Sequence, residues 1–459
     1  MADAAAYDIV VLGAGSGGYA CALRGAQLGL RVALIERDRL GGTCLHVGCI
    51  PTKALLHAAE VARSAQEAQT FGVKASFDGV DMTAVNAYKS GVVDRLYKGL
   101  TGLVKGRGID VIEGAGRLVD PSTVVVDGTN YVGNHVVIAT GSRPRSIPGI
   151  DIDGVRVLSS DHALALDRVP ESVVVLGGGV IGSEFASAWS AFGAKVTIVE
   201  ALARLVPTED EALSKVLERA FRRRKIAVKT GRRCESVRTS DDDVEVVLDD
   251  GQTINAELLL VAVGREPVTD SAGLAEAGVS LDRGFVVTDH NLRTNLPHVY
   301  AVGDVVAGLQ LAHRGFAHGI FVAEHIAGLD PTPVNDAGIP RVTYSDPEVA
   351  SVGLTEAEAR ERHGDAVQTL TYDLSGNGKS QILKTQGFVK LVRAGDGPVL
   401  GVHMVGARVG ELVGEAQLIY NWDAHPADVA PLLHAHPTQN EALGEAHLAL
   451  AGKPLHSHS

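Results

Sequence analysis

Cys44 and Cys49 are two of only four cysteines in the chain. They are separated by four residues in the stretch Leu-Gly-Gly-Thr-Cys-Leu-His-Val-Gly-Cys-Ile-Pro-Thr-Lys, Leu40 to Lys53. In a regular α-helix, positions five apart are roughly 8.6 Å from each other, whereas a disulfide needs Cα atoms within roughly 7 Å, so this pair can close only across a distorted turn. Gly48 permits a backbone excursion just before Cys49. Pro51 suits the first turn of a helix continued by Thr52-Lys53-Ala54-Leu55-Leu56. Cys49 then falls near a helix N-terminus, where unpaired N–H groups favour negative charge and a thiolate. A dithiol poised in this way is a redox device. The competing readings are two buried, inert cysteines or half of a metal site. The metal is disfavoured because zinc pairs usually have shorter spacing and want a second pair, which the isolated Cys21 and Cys234 do not supply.

The elements around this stretch read as nucleotide-binding units. The apolar run Ile9–Leu12 leads into Gly13-Ala14-Gly15-Ser16-Gly17-Gly18, then a small-residue helix over Tyr19–Leu28 and a second apolar run ending at Glu36, 23 residues past Gly13. In such a βαβ unit Gly13 makes the tight turn, Gly15 lets backbone approach a pyrophosphate, Gly18 lets helix pack on strand, and Glu36 is placed for ribose hydroxyls. A plain glycine-rich turn is the bland alternative. The pattern recurs, however: Val173–Leu176, then Gly177-Gly178-Gly179-Val180-Ile181-Gly182, a helix from Ser183 to Phe192, and a strand ending at Glu200, again 23 residues past its first glycine. Two matches with one spacing imply two dinucleotides held at once. Glu200 accepts from a free ribose 2′-hydroxyl and repels a 2′-phosphate, which favours NAD over NADP, with Arg204 close by working against that preference.

Composition narrows the class. A chain of 459 residues exceeds one ordinary core, so about three domains are expected. A net charge of −13 opposes nonspecific binding to nucleic acid or anionic membrane. Arg222-Arg223-Arg224-Lys225 reads as the solvated end of a helix. The first residues run straight into a strand with no signal-peptide pattern, and no apolar run approaches the roughly 20 residues of a membrane span. A soluble, cytoplasmic protein is expected, and in a reducing compartment a close cysteine pair is more often catalytic than structural.

Ala54–Arg107 reads as mainly helical with an interruption around Phe71–Asp81, and Lys453–Ser459 as a frayed tail. Buried strands end at Ala139-Thr140-Gly141 and at Gly303-Asp304, where ligands of open α/β sheets lie. Asp304 is therefore either a cofactor ligand or a helix N-cap, roles that are compatible. The expected domains are 1–150 (first dinucleotide domain, carrying the cysteine insertion), 151–275 (second), 276–335 (return to the first) and 336–459 (C-terminal α+β). In the last, Pro437 and Thr438 can start a helix, leaving His436 just before it and Glu441 one turn inside. A carboxylate beside an imidazole makes a general acid–base pair, although a capping or solvated role is the default for most of the 17 histidines.

Taken together, Gly-Gly-Thr-Cys-x4-Cys-x-Pro-x-Lys, the two glycine fingerprints, Ala139-Thr140-Gly141, Gly303-Asp304 and the terminal His-Pro-Thr-x-x-Glu resemble the flavin-dependent pyridine nucleotide–disulfide oxidoreductases over about residues 7 to 450. The resemblance implies an α/β fold of two Rossmann-like dinucleotide-binding domains plus a C-terminal dimerisation domain. It implies FAD on Gly13, Gly15, Gly18 and Glu36, with Thr43 near the pyrophosphate, Lys53 against the flavin and paired with Glu184, and Gly116, Thr140, Gly141, Asp304 and Ala312 lining the rest. NAD would lie along Gly177, Gly179, Val180, Ile181, Gly182 and Glu184, with Glu200 at its ribose and Gly264 nearby; no metal is implied. His434-Ala435-His436-Pro437-Thr438 and Glu200 fit members that oxidise dihydrolipoyl groups better than those that reduce glutathione disulfide. The implied catalytic residues are a Cys44–Cys49 redox disulfide and the base His436 with Glu441, in a homodimer whose active site is shared between subunits and which serves the lipoyl domain of a 2-oxo-acid dehydrogenase complex. The rival readings are an NAD(P)H-dependent reductase of a small disulfide and, in another class, mainly a docking component of a multienzyme complex. His46 departs from the asparagine common in the family.

Overall fold

The computed structural model describes residues 7–456, so the expected tail at Lys453–Ser459 is seen only as far as His456. Glycine-terminated apolar runs become parallel strands. β1 (Tyr7–Leu12), α1 (Ser16–Gln27) and β2 (Val32–Glu36) form the expected βαβ unit. Then follow α2 (Gly42–His46), α3 (Cys49–Glu67), α4 (Met82–Gly106) and β3 (Asp110–Glu113). The antiparallel β4 (Arg117–Asp120) and β5 (Thr123–Val126) lead into β6 (Thr129–Ile138), which returns beside β1, and β7 (Ser142–Pro144) follows. In the order β3-β2-β1-β6-β5-β4, Val11 of β1 faces Leu34 on one side and Val137 on the other. All three are fully buried, as expected for a parallel strand covered on both faces.

The second copy comprises β8 (Val157–Leu158), α5 (Ser160–Ala165), β9 (Ser172–Leu176), α6 (Val180–Phe192), β10 (Lys195–Glu200), α7 (Glu211–Arg223) and β11 (Ala227–Thr230). After the antiparallel β12 (Cys234–Thr239), β13 (Val244–Leu248) and β14 (Thr253–Ala256), β15 (Leu258–Val261) completes a parallel sheet in the order β11-β10-β9-β15-β8. β16 (Arg265–Pro267) then pairs antiparallel with β7, Arg265 opposite Pro144. The chain is therefore back in the first unit by Arg265, ahead of the expected boundary at 275, because the turn at Gly264 (φ +113) ends the preceding run. A small hairpin of β17 (Leu281–Asp282) and β18 (Phe285–Val286) precedes β19 (Val299–Ala301), which joins the first sheet beside β6, and α8 (Ala312–Ile326).

The remaining chain forms β20 (Arg341–Thr343), β21 (Glu348–Gly353), α9 (Glu356–His363), β22 (Val367–Asp373), α10 (Gly378–Leu383), β23 (Phe388–Ala394), β24 (Val399–Gly406), α11 (Val409–Asn421), α12 (Pro426–Val429) and α13 (Glu441–Leu450). The antiparallel sheet β20-β21-β24-β23-β22 buries Val352, Leu391 and Met404 against Ala416 of α11 and Leu443 of α13.

By contacts the chain divides into two compact units. One contains the segments up to Leu55, Thr83–Arg145 and Arg265–Asp336; the other contains Leu56–Met82, Ser146–Gly264 and the chain from Ala337 on. The second copy and the C-terminal sheet fall in one compact unit, and charged groups knit them together. Lys390, 6% exposed, donates to both carboxylate oxygens of Asp210 (2.8 and 3.0 Å) and pairs with Glu356 at 2.7 Å. Arg341 pairs with Glu209 at 3.0 Å. Burial alone would raise the Asp210 carboxyl, but the Lys390 bond and the charge of His403 outweigh it and hold it below its ordinary 3.8. Such a depressed carboxylate stabilises the fold above its unfolded value and loses that contribution as pH falls below about 3.8. Lys390→Met strands the acids in a dry site and should cost about 3–5 kcal/mol at neutral pH. Thermal unfolding checks this, and the deficit should shrink at acid pH.

The basic cluster at 222–225 is only partly solvated. Arg222 and Arg223 are exposed, but Arg224 turns inward to donate to the carbonyls of Ser187 and Asp346. Among the described residues, no helix is long and apolar enough to cross a membrane, and no group of three or more His, Cys, Asp or Glu is placed to hold a metal.

Candidate active site

The two glycine loops have the same construction. Gly13 and Gly177 both turn with φ +103, and a Cβ on either would strike the carbonyl of the neighbouring strand end, Ala139 at 2.4 Å or Ala262 at 2.3 Å. A Cβ on Gly18 would lie 1.8 Å from the Gly13 oxygen, and one on Gly182 1.9 Å from the Gly177 oxygen. Gly15 and Gly179, which precede α1 and α6, face open space within 4 Å. Unpaired N–H groups of a helix start thus front a space bounded by glycine backbone, which is the form a pyrophosphate needs. Val180 and Ile181 open α6, so their backbone amides point the same way.

Each acid latches its own loop. Glu36 accepts from Ala14 N at 2.7 Å and Asp38 N at 3.0 Å; Glu200 accepts from Gly178 N at 2.6 Å and Leu202 N at 2.7 Å. Both carboxylates sit at the end of the second strand, where ribose hydroxyls fall in this motif. Arg204 is tied to its own loop through the carbonyls of Pro207 and Glu209.

The cysteines follow directly. Gly41 N donates to Ala14 O at 2.8 Å, and a Cβ on Gly42 would lie 2.7 Å from Gly15 Cα, so α2, with Thr43 and Cys44, starts against the first fingerprint. The helix breaks at Val47–Gly48 and resumes as α3 at Cys49. Gly48 matters there for close approach, since its Cβ would lie 2.8 Å from Thr43 O. Both cysteines are free thiols within hydrogen-bonding reach of each other. That bond, then burial, pushes the Cys44 thiol up, while Lys53, one turn along α3 from Cys49, acts in the opposite direction. His46 bonds Leu40 O through Nε2 at 2.9 Å and meets the Tyr97 ring edge-on, bracing the loop between the cysteines. Tyr19, which sequence reasoning passed over, senses both thiols, and its hydroxyl is raised to about 12, first by burial and then by the two cysteines.

Asp304 accepts from Ser142 Oγ at 2.6 Å, and Arg265 donates to Ser142 Oγ at 2.7 Å and to Ser142 O at 2.8 Å. Buried His318 receives Gly303 N on Nδ1 at 3.3 Å; burial, with Arg314 next, pulls it down to about 4, so it remains a neutral acceptor at ordinary pH. Thr140 donates to Val268 O at 2.6 Å, and Gly141 (φ +71) and Gly264 (φ +113) turn beside open space. Gly116 fits beneath Leu12, Ile35 and Val124, so its small size is already required by packing. Ala312 is the first residue of α8, whose Gly315 and Gly319 press on Ser16 and Gly17 of α1 and bring two helix N-termini together. The spacing of Gly315 and Gly319, one turn apart, was the available sequence signal for that contact.

In the second unit, buried Glu184 accepts from Tyr344 N at 3.0 Å. Glu441 Oε1 accepts from His436 Nδ1 at 2.7 Å, and Glu441 Oε2 accepts from Thr438 N at 2.7 Å. α13 starts at Glu441, and just ahead of it Asn377 Nδ2 donates to the Thr438 carbonyl at 3.0 Å. His436 remains 77% exposed, with Nε2 on the side away from Glu441.

Two Rossmann-type cradles, a close thiol pair against one of them and an exposed His–Glu dyad define an oxidoreductase that couples dithiol chemistry to dinucleotides. Comparison with known proteins agrees: the pattern of the pyridine nucleotide-disulphide oxidoreductases matches residues 7–319, and that of their dimerisation domain matches residues 339–447. The chain belongs to this family, and it forms a homodimer. It is 42% identical to a dihydrolipoyl dehydrogenase of Bacillus subtilis, over 98% of this chain and 99% of that one. It is 38% identical to the mitochondrial dihydrolipoyl dehydrogenase 2 of Arabidopsis thaliana, over 98% and 91%. Among solved structures, LpdA from Mycobacterium tuberculosis superposes with a TM-score of 0.90 at 27% identity, covering 96% of this chain and 99% of that one.

Proposed function

We propose that the chain is an FAD-dependent enzyme that oxidises a dihydrolipoyl dithiol to the disulfide with NAD as acceptor. The observation that carries this reading is the mutual reach of Cys44 and Cys49 at the wall of the first cradle. FAD fits the cradle of Gly13, Gly15, Gly18 and Glu36, and NAD fits that of Gly177, Gly179, Gly182 and Glu200; the engagement of Arg204 by its own loop supports NAD over NADP. When bound, FAD supplies two-electron relay between thiols and a nicotinamide.

The residues of the chain do the proton and sulfur chemistry. His436, oriented by Glu441, takes a proton from the incoming dithiol at Nε2. The resulting thiolate attacks Cys44 Sγ of the Cys44–Cys49 disulfide, forming a mixed disulfide and releasing Cys49 as thiolate. The second substrate thiol then attacks the substrate sulfur of the mixed disulfide, its proton passing to the departing Cys44 sulfur, so lipoyl disulfide leaves with Cys44 as thiol and Cys49 as thiolate. His436 reaches Cys44 of a second copy, which makes the two-fold dimer the active form. The substrate is the lipoyl domain of a 2-oxo-acid dehydrogenase complex, and the protein works in the cytoplasm.

Anaerobic dihydrolipoamide should bleach the flavin absorbance of the purified holoprotein, and NAD should restore it, whereas Cys44→Ser should show no bleaching. A colourless protein that takes up no FAD, or faster turnover with NADPH and glutathione disulfide, would overturn the reading.

A further inference from the structure

Glu415 of α11 is outside the machinery described so far, yet it grips the catalytic segment at two points. Its Oε1 meets His434 Nε2 at 2.9 Å, and its Oε2 accepts from Asn440 Nδ2 at 2.5 Å. His434 and Asn440 flank His436 on either side, and Asn440 is the residue before the first turn of α13, which begins with Glu441. We infer that Glu415 is a positioning residue for catalysis: by bonding both ends of the 434–440 segment at once, it fixes the distance and angle at which His436 and Glu441 meet. This rests on the base role given to His436 above.

Three further observations favour a brace over an incidental surface pair. The His434 side chain is 10% exposed, and that of Glu415 26%. The His434 ring lies flush on α13, where a Cβ on Gly444 would come within 2.5 Å of Nδ1, so glycine is required for the ring to lie there. The middle of the segment is pinned separately, by Asn377 to Thr438 O at 3.0 Å, by Ser380 to Gln439 Oε1 at 2.7 Å and by Gln439 to Ala407 O at 3.0 Å. With centre and ends all held, the exposed His436 has little backbone freedom left. The hydrogen bond to Glu415 raises His434 above its ordinary 6.5, and the titratable neighbours facing the pair are Glu441 and His447, both from α13. A raised histidine adds stability that is complete below its unfolded value and fades as pH rises through the folded one. The brace is therefore firmest from about pH 6.5 down to the acid range, below the ordinary 4.5, where Glu415 itself takes up a proton, and it slackens at alkaline pH.

The test is a double-mutant cycle on the FAD-loaded dimer with dihydrolipoamide and NAD. Displacement of a catalytic group by about 1 Å can cost up to about 10²-fold. Glu415→Ala should lower kcat about 10-fold with KM for dihydrolipoamide changed less than about twofold, and Glu415→Gln, which can still bond both neighbours, should recover most of the loss. In a His436→Gln background, Glu415→Ala should cost less than about twofold more, because the group it positions is already gone. Unchanged kcat in Glu415→Ala, or an undiminished loss in the His436→Gln background, overturns the brace. Normal turnover of His436→Gln itself overturns the underlying base assignment instead. Should Glu415→Ala fail to fold, Asn440→Ala removes one arm alone and should cost about threefold in kcat with the same non-additivity.

Discussion

Replacing His436 with Gln is expected to leave a folded, flavin-loaded dimer whose kcat for dihydrolipoamide oxidation is lower by about 10²- to 10⁴-fold, the range contributed by a positioned general base. The side chain is 77% exposed, so the substitution removes little burial, and the loss should fall on kcat far more than on stability. Glutamine can still bond Glu441 but cannot take a proton. Burial would raise the Glu441 carboxyl, but the bonds from Thr438 N and His436 prevail and hold it below its ordinary 4.5, so the dyad keeps its negative member throughout the neutral range. Steady-state kinetics with a melting curve on the same sample decide the matter: turnover within about twofold of the unaltered chain would remove His436 from the chemistry.

The second large effect separates the two cradles. Gly18→Ala and Gly182→Ala add one methyl each, at 1.8 and 1.9 Å from the carbonyl oxygens of Gly13 and Gly177. Real Cβ contacts essentially never fall under 3.0 Å, so α1 or α6 must back away from its strand by more than an ångström. If the first loop holds FAD, Gly18→Ala should purify with less than about a tenth of the normal flavin, a deficit equivalent to at least about 1.4 kcal/mol in affinity. Gly182→Ala should keep its flavin and its bleaching by dihydrolipoamide, yet show a KM for NAD raised at least about tenfold. Flavin absorbance per chain and NAD saturation curves read the two outcomes. The crossed pattern, flavin lost from Gly182→Ala and retained by Gly18→Ala, would reverse the assignment of the cofactors.

What the sequence revealed and what it concealed divide along physical lines. The doubled glycine loops, their acids and the cysteine stretch were legible because each depends on residues close together in the chain: the Gly13–Gly18 contact spans one turn, and Glu36 reaches back over a single βαβ unit. The strands Arg117–Asp120 and Cys234–Thr239 carry mixed, partly exposed patterns that a periodicity of two does not pick out. The hold of Asn377 on the Thr438 carbonyl reaches across 61 residues, and nothing beside Thr438 announces it. The Lys390–Asp210 pair bridges 180 residues, and nothing local marks either partner as buried. The same holds for Arg224, whose neighbours in the chain look like a solvated basic run while its guanidinium reaches carbonyls of two distant segments.

Glu36 and Glu200 each fasten the backbone amide that follows the first glycine of their own loop, and they do so through protein groups alone. A binding site shaped by its own framework spends little conformational entropy on its guest. Emptied of its nucleotides, this chain should therefore keep both receptacles standing, and reconstitution should proceed at the pace of encounter, without waiting for a loop to find its form.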